Sequence, residues 1–247
     1  MVERKLLRDK VAIVTGAGSG IGESIARRYV EEGALLLAID LQAPGFAPHD
    51  GRVAMLALDI TESDAPARIR DEVERRFGRL DILVNNAGIC QPGSIEDQTA
   101  ESWARTLAVN VTAPFLITQA LVPLLQDSKA GRIINLGSIM SDFGGPDLCA
   151  YGTSKHAMAG FTKSLACDLG RYGITANYLQ PGSIWSAMSR PHMANPDFLR
   201  YWETKTPLGR IGDPEDVAAP AVFLATDEAK FITGAGIRVC GGAMASF

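Results

Sequence analysis

The sequence predicts an α/β domain in which a parallel sheet is doubly wound by helices. Three observations point there. Short apolar runs alternate without a break with helix-length amphipathic segments, the rhythm of consecutive βαβ units. A glycine-rich turn, TGAGSGIG at 15–22, stands directly between the first apolar run and the first helical one. Of the 247 residues 47% are hydrophobic, and no linker, internal repeat or low-complexity stretch divides them, so one large domain accounts for the whole chain.

In chain order, Val11–Thr15 reads as the first strand and 21–32 as the first helix, stopped by Gly33. Strands Leu35–Ile39 and Val53–Leu58 follow, then a helix over 62–77. Thr61 with Asp64 resembles its start signal and Gly78 its stop. Strand Ile82–Val84 leads into a helix over 101–126, strand Arg132–Leu136 into a helix over 151–171, and strand Thr175–Leu179 toward a helix over 214–225 and a last strand, Ile237–Val239. The segment at 183–207, rich in Met, Pro and aromatics, breaks the rhythm and reads as a helical excursion from the core, a lid.

A formal net charge of −4 with no basic run argues against nucleic acid or an anionic membrane surface as partner. The opening MVERKLLRDKVAIVTG lacks the apolar core and cleavage site of a signal peptide, and no apolar stretch is expected to reach the roughly 20 residues that span a bilayer. Cys90, Cys149, Cys167 and Cys240 are scattered and read as reduced thiols of a cytoplasmic protein. The three histidines show no ligand spacing, so no metal is expected.

The chemistry is concentrated in GSIMSDFGGPDLCAYGTSK. Tyr151 and Lys155 are four apart, so on a helix they share a face. A nearby ammonium favours the phenolate and makes tyrosine an acid/base group near neutral pH. That is half of alcohol–carbonyl redox chemistry; the other half, a hydride, must come from a cofactor. The glycine turn follows a strand and opens a helix, where backbone N–H groups can hold a pyrophosphate. Its spacing, Gly16, Gly20 and Gly22, is not GxGxxG, and a turn that merely packs helix on sheet is the alternative. Asp40 ends the second strand, where a carboxylate can hydrogen-bond the adenosine ribose of NAD and would repel the 2′-phosphate of NADP. No Arg or Lys follows to offset it, so NAD is the expected cofactor; an ordinary strand-end carboxylate is the alternative.

These residues resemble the short-chain dehydrogenase/reductase family, in its compact subclass, over essentially the whole chain. The matching features are TGAGSGIG, Asp59 after the third strand, NNAG at 85–88, Asn110 in VNV, and Ser138 thirteen residues before the tyrosine of YGTSK. PG at 181–182 and the closing FITGAGIRVCGG continue the match. The resemblance implies a single Rossmann-type domain with a lid near 183–207. It implies Tyr151 as general acid/base, Ser138 holding the substrate oxygen, Lys155 tuning the tyrosine and gripping the nicotinamide ribose, and Asn110 anchoring a water relay. For the cofactor it implies Gly16, Ser19, Gly20, Ile21 and Gly22 at the phosphates and Asp59 with Ile60 at the adenine. It further implies Asn86, Ala87 and Gly88 along the adenosine side, and Pro181, Gly182, Ile184 and Ser186 at the nicotinamide. A homotetramer with two-fold contacts through the helices near 101–126 and 151–171 is also implied. The chain departs from the pattern at Gly137, where a serine is frequent, at Ser186, usually threonine, at Gln180 before the PG, and at Cys240 in place of an aspartate.

Substrate residues are expected where the lid closes over the nicotinamide. Trp185, Met188, Met193, Phe198, Leu199, Tyr201 and Trp202 lie on that side, and Ile139, Met140, Phe143, Leu148 and Cys149 on the other. His192 and Arg190 could meet a polar group, and CQPGS at 90–94 could form the rim. So apolar a wall favours a hydrophobic or aromatic secondary alcohol or ketone; packing of the lid against core or neighbour is the alternative use of these side chains. The expected activity is therefore NAD-dependent alcohol–ketone interconversion. The alternatives are a 3-oxoacyl-thioester reductase and a non-catalytic dinucleotide sensor.

Overall fold

In the computed structural model, which describes residues 5–43, 45, 51–128 and 130–245, seven parallel strands form one sheet. They are β1 (Val11–Thr15), β2 (Leu35–Asp40), β3 (Val53–Ala57), β4 (Ile82–Asn85), β5 (Arg132–Leu136), β6 (Thr175–Pro181) and β7 (Gly236–Val239). The order is β3-β2-β1-β4-β5-β6-β7, so the winding reverses between β1 and β4. A crevice for a ligand opens at such a switch point, beyond the carboxyl ends of the strands.

Period-2 alternation sorts the strand side chains between two cores. Ala12 and Val14 join Leu36, Ala38, Ile82 and Val84 on the face covered by α1 (Gly20–Glu31) and α8 (Pro214–Ala225). Val11 and Ile13 join Leu37, Ile39, Leu83 and Ile133 on the other face, under α2 (Ala65–Phe77) and α4 (Ala113–Asp127). On the first face Tyr29 is fully buried, its hydroxyl donating to Ala221 O at 3.0 Å and joining α1 to α8. Strands buried on both faces read as continuous apolar runs, which is why the sequence locates them within a residue or two.

Three expectations are corrected. The run expected as one helix over 101–126 is α3 (Ala100–Leu107), a π-helical turn at Ala108–Thr112, and then α4. Residues Ala100–Asp127 together are long and apolar enough to cross a membrane, contrary to the expectation that no such stretch exists; here Ile117, Leu121 and Leu125 are buried in the core. Thr61 is not a helix-start residue, because its hydroxyl and N–H both turn to Asp59. Gly33 and Gly78 end their helices as expected, each with positive φ.

The α5 helix (Cys149–Leu169) completes the layer beside α4. The excursion folds as two short helices, α6 (Arg190–Met193) and α7 (Pro196–Lys205). Residues 1–4 of the charged opening stretch lie outside the described residues.

Candidate active site

A cleft of about 1110 Å³ runs across the carboxyl ends of the strands, from the glycine turn to the lid. Its first wall is set by backbone. Gly16 and Gly20 take φ of 67° and 57°, in the region that favours glycine. A Cβ on Gly22 would strike the Gly16 carbonyl and the Asn86 amide. That amide clasps the turn to the end of β4, donating from Nδ2 to Thr15 O at 2.9 Å and Gly16 O at 3.0 Å. Ser19 makes no side-chain cap to α1, so the first N–H groups of the helix have no protein side chain to satisfy them. A helix N-terminus behind a glycine turn, facing a cleft, suits a pyrophosphate, and the cradle therefore fits a dinucleotide.

Asp40 accepts from Gly18 N at 2.8 Å and Gln42 N at 3.0 Å, so its carboxylate lies against the turn. A Cβ on Gly18 would come 2.7 Å from Asp40 Cγ, which explains a fourth glycine in the turn. Further along, Asp59 accepts from Thr61 N at 2.9 Å, Thr61 Oγ1 at 2.7 Å and Arg105 at 3.1 Å. These bonds, the Thr61 hydroxyl foremost, hold its carboxyl below the usual range. Arg105 lines the cleft and was not expected there; nothing in its sequence surroundings marks it.

At the other end Ser138 follows β5 on extended backbone. Its Oγ accepts from Met140 N at 3.1 Å, and Ser141 Oγ accepts from Ser138 N at 3.2 Å. That reciprocal cap accounts for Gly137, where a Cβ would lie 2.8 Å from Ser141 Oγ and 3.0 Å from Leu179 O. Tyr151 and Lys155 share one face of α5, with the ammonium 5.5 Å from the phenol ring centroid. Lys155 Nζ donates to Leu136 O at 2.7 Å.

The expected tuning of the tyrosine is corrected. Burial dominates both groups, pushing the Tyr151 phenol up to about 12 and the Lys155 ammonium down to about 8. A hydrogen bond with Ser138 pulls the phenol the other way without prevailing. Cys90 also lines the cleft; burial pushes its thiol up, opposed by the Lys155 charge.

Asn110 sits in the π-helical turn and does not line the cleft. Its Oδ1 accepts from Ile89 N at 2.9 Å, and its Nδ2 donates to Ile89 O at 2.9 Å and Ser154 Oγ at 3.0 Å. Ser154 in turn donates to Tyr151 O at 2.7 Å, so Asn110 fixes α5 beside the loop after β4. π-turns of this kind recur at functional sites.

Of the expected cofactor residues, Gly16, Ser19, Gly20, Ile21, Gly22, Asp40, Asp59, Ile60, Asn86, Ala87, Gly88, Pro181, Gly182, Ile184 and Ser186 all line the cleft. So do Ser138, Tyr151, Lys155 and the expected substrate residues Ile139, Met140, Phe143 and Met188. Cys149 and Trp185 do not. Cys149 lies two residues from Tyr151, about 200° around the helix, and so faces away. Trp185 follows the bridge between Ile184 and Gly212, where alternation turns Ile184 and Ser186 to the cleft and Trp185 to the other side. From the lid, Met193, Phe198, Tyr201 and Trp202 reach the cleft, and Leu199 and Arg190 do not. His192, Lys205 and Met244 complete that wall, the last two without a sequence signal. Among the described residues no group of three or more His, Cys, Asp or Glu could hold a metal ion.

Residues 16–244 match the family model described as enoyl-(acyl carrier protein) reductase. A subunit of (2S)-[(R)-hydroxy(phenyl)methyl]succinyl-CoA dehydrogenase from Thauera aromatica is 35% identical over 243 residues, covering 96% of this chain and 97% of the relative. Among solved structures, ligand-free aldohexose dehydrogenase of Thermoplasma acidophilum superposes with a TM-score of 0.92 at 34% identity, over 98% of this chain and 97% of its own. A gluconate 5-dehydrogenase of Burkholderia cenocepacia, in complex with NADP and tartrate, gives 0.91 at 29% identity, over 99% of both chains.

Proposed function

This chain belongs to the short-chain dehydrogenase/reductase family of oxidoreductases, and on that premise we propose that it interconverts a secondary alcohol and a ketone with NAD. The observation that carries the reading is the joining of Ser138, Tyr151 and Lys155 at the floor of one cleft with a dinucleotide cradle at its other end. When bound, the nicotinamide accepts or donates the hydride. The Ser138 hydroxyl lies close enough to Tyr151 to pull its pKa down against burial, and a substrate oxygen between them would meet both hydroxyls. In oxidation the Tyr151 phenolate takes the hydroxyl proton; in reduction the phenol returns it to the nascent alkoxide. Lys155, docked on Leu136, keeps its amino group 5.5 Å from the phenol ring centroid, on the wall where the nicotinamide ribose would lie. Asn110 holds α5 in place through Ser154.

NAD rather than NADP is supported by Asp40. Its carboxylate is held on the glycine turn by Gly18, where a 2′-phosphate would be repelled. A hydrophobic or aromatic substrate is supported by the wall of Met140, Phe143, Met188, Phe198 and Trp202. The name of the Thauera relative, a dehydrogenase of a phenyl-bearing alcohol, accords with that wall. Its coenzyme A moiety, with the cationic Lys205 at the cleft, favours a second reading in which the alcohol is carried on a thioester. Phe115 and Leu116 are exposed on the outer side of α4, with Phe115 edge-on to Phe161 of α5, and this apolar face supports assembly into a homotetramer. The four unpaired cysteines accord with the cytoplasm.

The test is NADH formation by the purified protein from a panel of aromatic secondary alcohols and 3-hydroxyacyl thioesters, with Tyr151→Phe alongside. Turnover that disappears in the variant supports the reading. NADH binding without turnover of any member would favour a dinucleotide sensor, and preference for NADP would overturn the cofactor assignment.

A further inference from the structure

The segment between Ser138 and the start of α5 at Cys149 supplies one wall of the cleft, yet its own helical content is a single 3-10 turn at Ile139–Ser141. Its last residues are held by the loop after β4, where Gly93 N donates to Asp147 O at 2.8 Å; what holds Asp142 comes from the far edge of the sheet. Gln180 of β6 and Arg238 of β7 are register partners, so their side chains leave the same face of adjacent strands. Both donate to one oxygen: Gln180 Nε2 to Asp142 Oδ2 at 2.9 Å, and Arg238 to the same Oδ2 at 2.9 Å. The guanidinium then lies over the ring of the next residue, 5.9 Å from the centroid of Phe143. Phe143 is 40% exposed and lines the cleft beside Met140. The contacts span 38 and 96 residues of sequence. Gln180 is one of the positions at which this chain leaves the family pattern.

We propose that Arg238 and Gln180 are positioning residues for substrate selection: by clamping Asp142 they hold the Phe143 ring as a fixed apolar wall of the substrate site. The inference rests on the reading of this cleft as the site of alcohol oxidation. A fixed ring favours substrates that present a flat apolar face to it, and costs less ordering on binding than a loop that must settle each time. The pair is half-exposed, so the effect belongs to selectivity and is too small to govern the fold.

Arg238→Met removes the ion pair and the ring contact while keeping the stem of the side chain. For the aromatic alcohol turned over best, KM should rise about fivefold, with kcat and the KM for NAD near parental values. Arg238→Lys should recover part of the loss. In a Phe143→Ala background the same substitution should change KM little, because the clamp acts through the ring. Hydrogen exchange of the cofactor-free protein gives a readout independent of turnover: amides of 140–148 should exchange faster in Arg238→Met, with those of β5 and α5 unchanged. An unchanged KM, an equal effect with and without Phe143, or unchanged exchange at 140–148 would each overturn the proposal. If the parent oxidises no alcohol, the functional reading fails, and the exchange experiment still decides whether the clamp holds the loop.

Discussion

Lys155 donates to the carbonyl oxygen of Leu136, the last residue of β5, at 2.7 Å. The bond ties a central helix to the strand end from which Ser138 departs, and buries the ammonium. Burial brings its pKa from 10.5 down to about 8. Between those values the unfolded chain binds a proton that the folded one has released, so this residue makes folding more favourable as pH rises through that window. In thermal unfolding without cofactor, the stability of the parent relative to Lys155→Met should increase from pH about 8 to about 10. A relative stability of the parent that falls or stays constant over this range would contradict the burial of Lys155.

Tyr151→Phe removes one hydroxyl and leaves the helix intact. Turnover should fall by roughly 10²–10⁴ while NADH still binds. Because burial pushes the phenol up to about 12, the two directions should respond to pH oppositely. Oxidation, which needs the phenolate, should quicken as pH rises, and reduction should slow. Initial rates in both directions across an alkaline series check the sign.

Asp40→Ala leaves the Gly18 and Gln42 N–H groups without their acceptor. NADH affinity should weaken roughly tenfold, with NADPH weakened less or improved, as ordinary hydrogen-bond energies suggest. Gly18→Ala should produce a related loss by a different route, its Cβ displacing the Asp40 carboxylate. Fluorescence titration with both reduced cofactors separates the two effects.

Asn110→Ala leaves both backbone groups of Ile89 and the Ser154 hydroxyl without a partner they now have. The cost should be about 1–3 kcal/mol in denaturant unfolding. Turnover should fall as well, because Ser154 is bonded to the Tyr151 carbonyl.

Most of this architecture is legible in the chain for one physical reason: strands buried on both faces leave unbroken apolar runs, and Gly33 and Gly78 mark where helices must turn. The π-turn at Ala108–Thr112 is not legible, because apolar residues flank it on both sides and no change of period announces an extra residue in the coil. Composition places Cys149 and Trp185 at the substrate, whereas geometry turns both away from the cleft. Two positions along a helix and one along an extended segment each reverse the direction of a side chain. The Tyr151–Lys155 spacing gives proximity, but desolvation, which dominates both pKa values, depends on walls assembled from the whole chain. Arg105 and Lys205 reach the cleft by tertiary placement alone.

The strand order has a further consequence for descent. The lining residues from the glycine turn through Asp40 and Asp59 to Arg105, at one end of the cleft, all come before β5 begins at Arg132. Phe143 and the lid, at the other end of the cleft, come afterwards, as does Arg238, which packs over the Phe143 ring. The two ends of the cleft are thus two ends of the gene, and selection for a new substrate can rewrite the second half while a common coenzyme keeps the first under constraint.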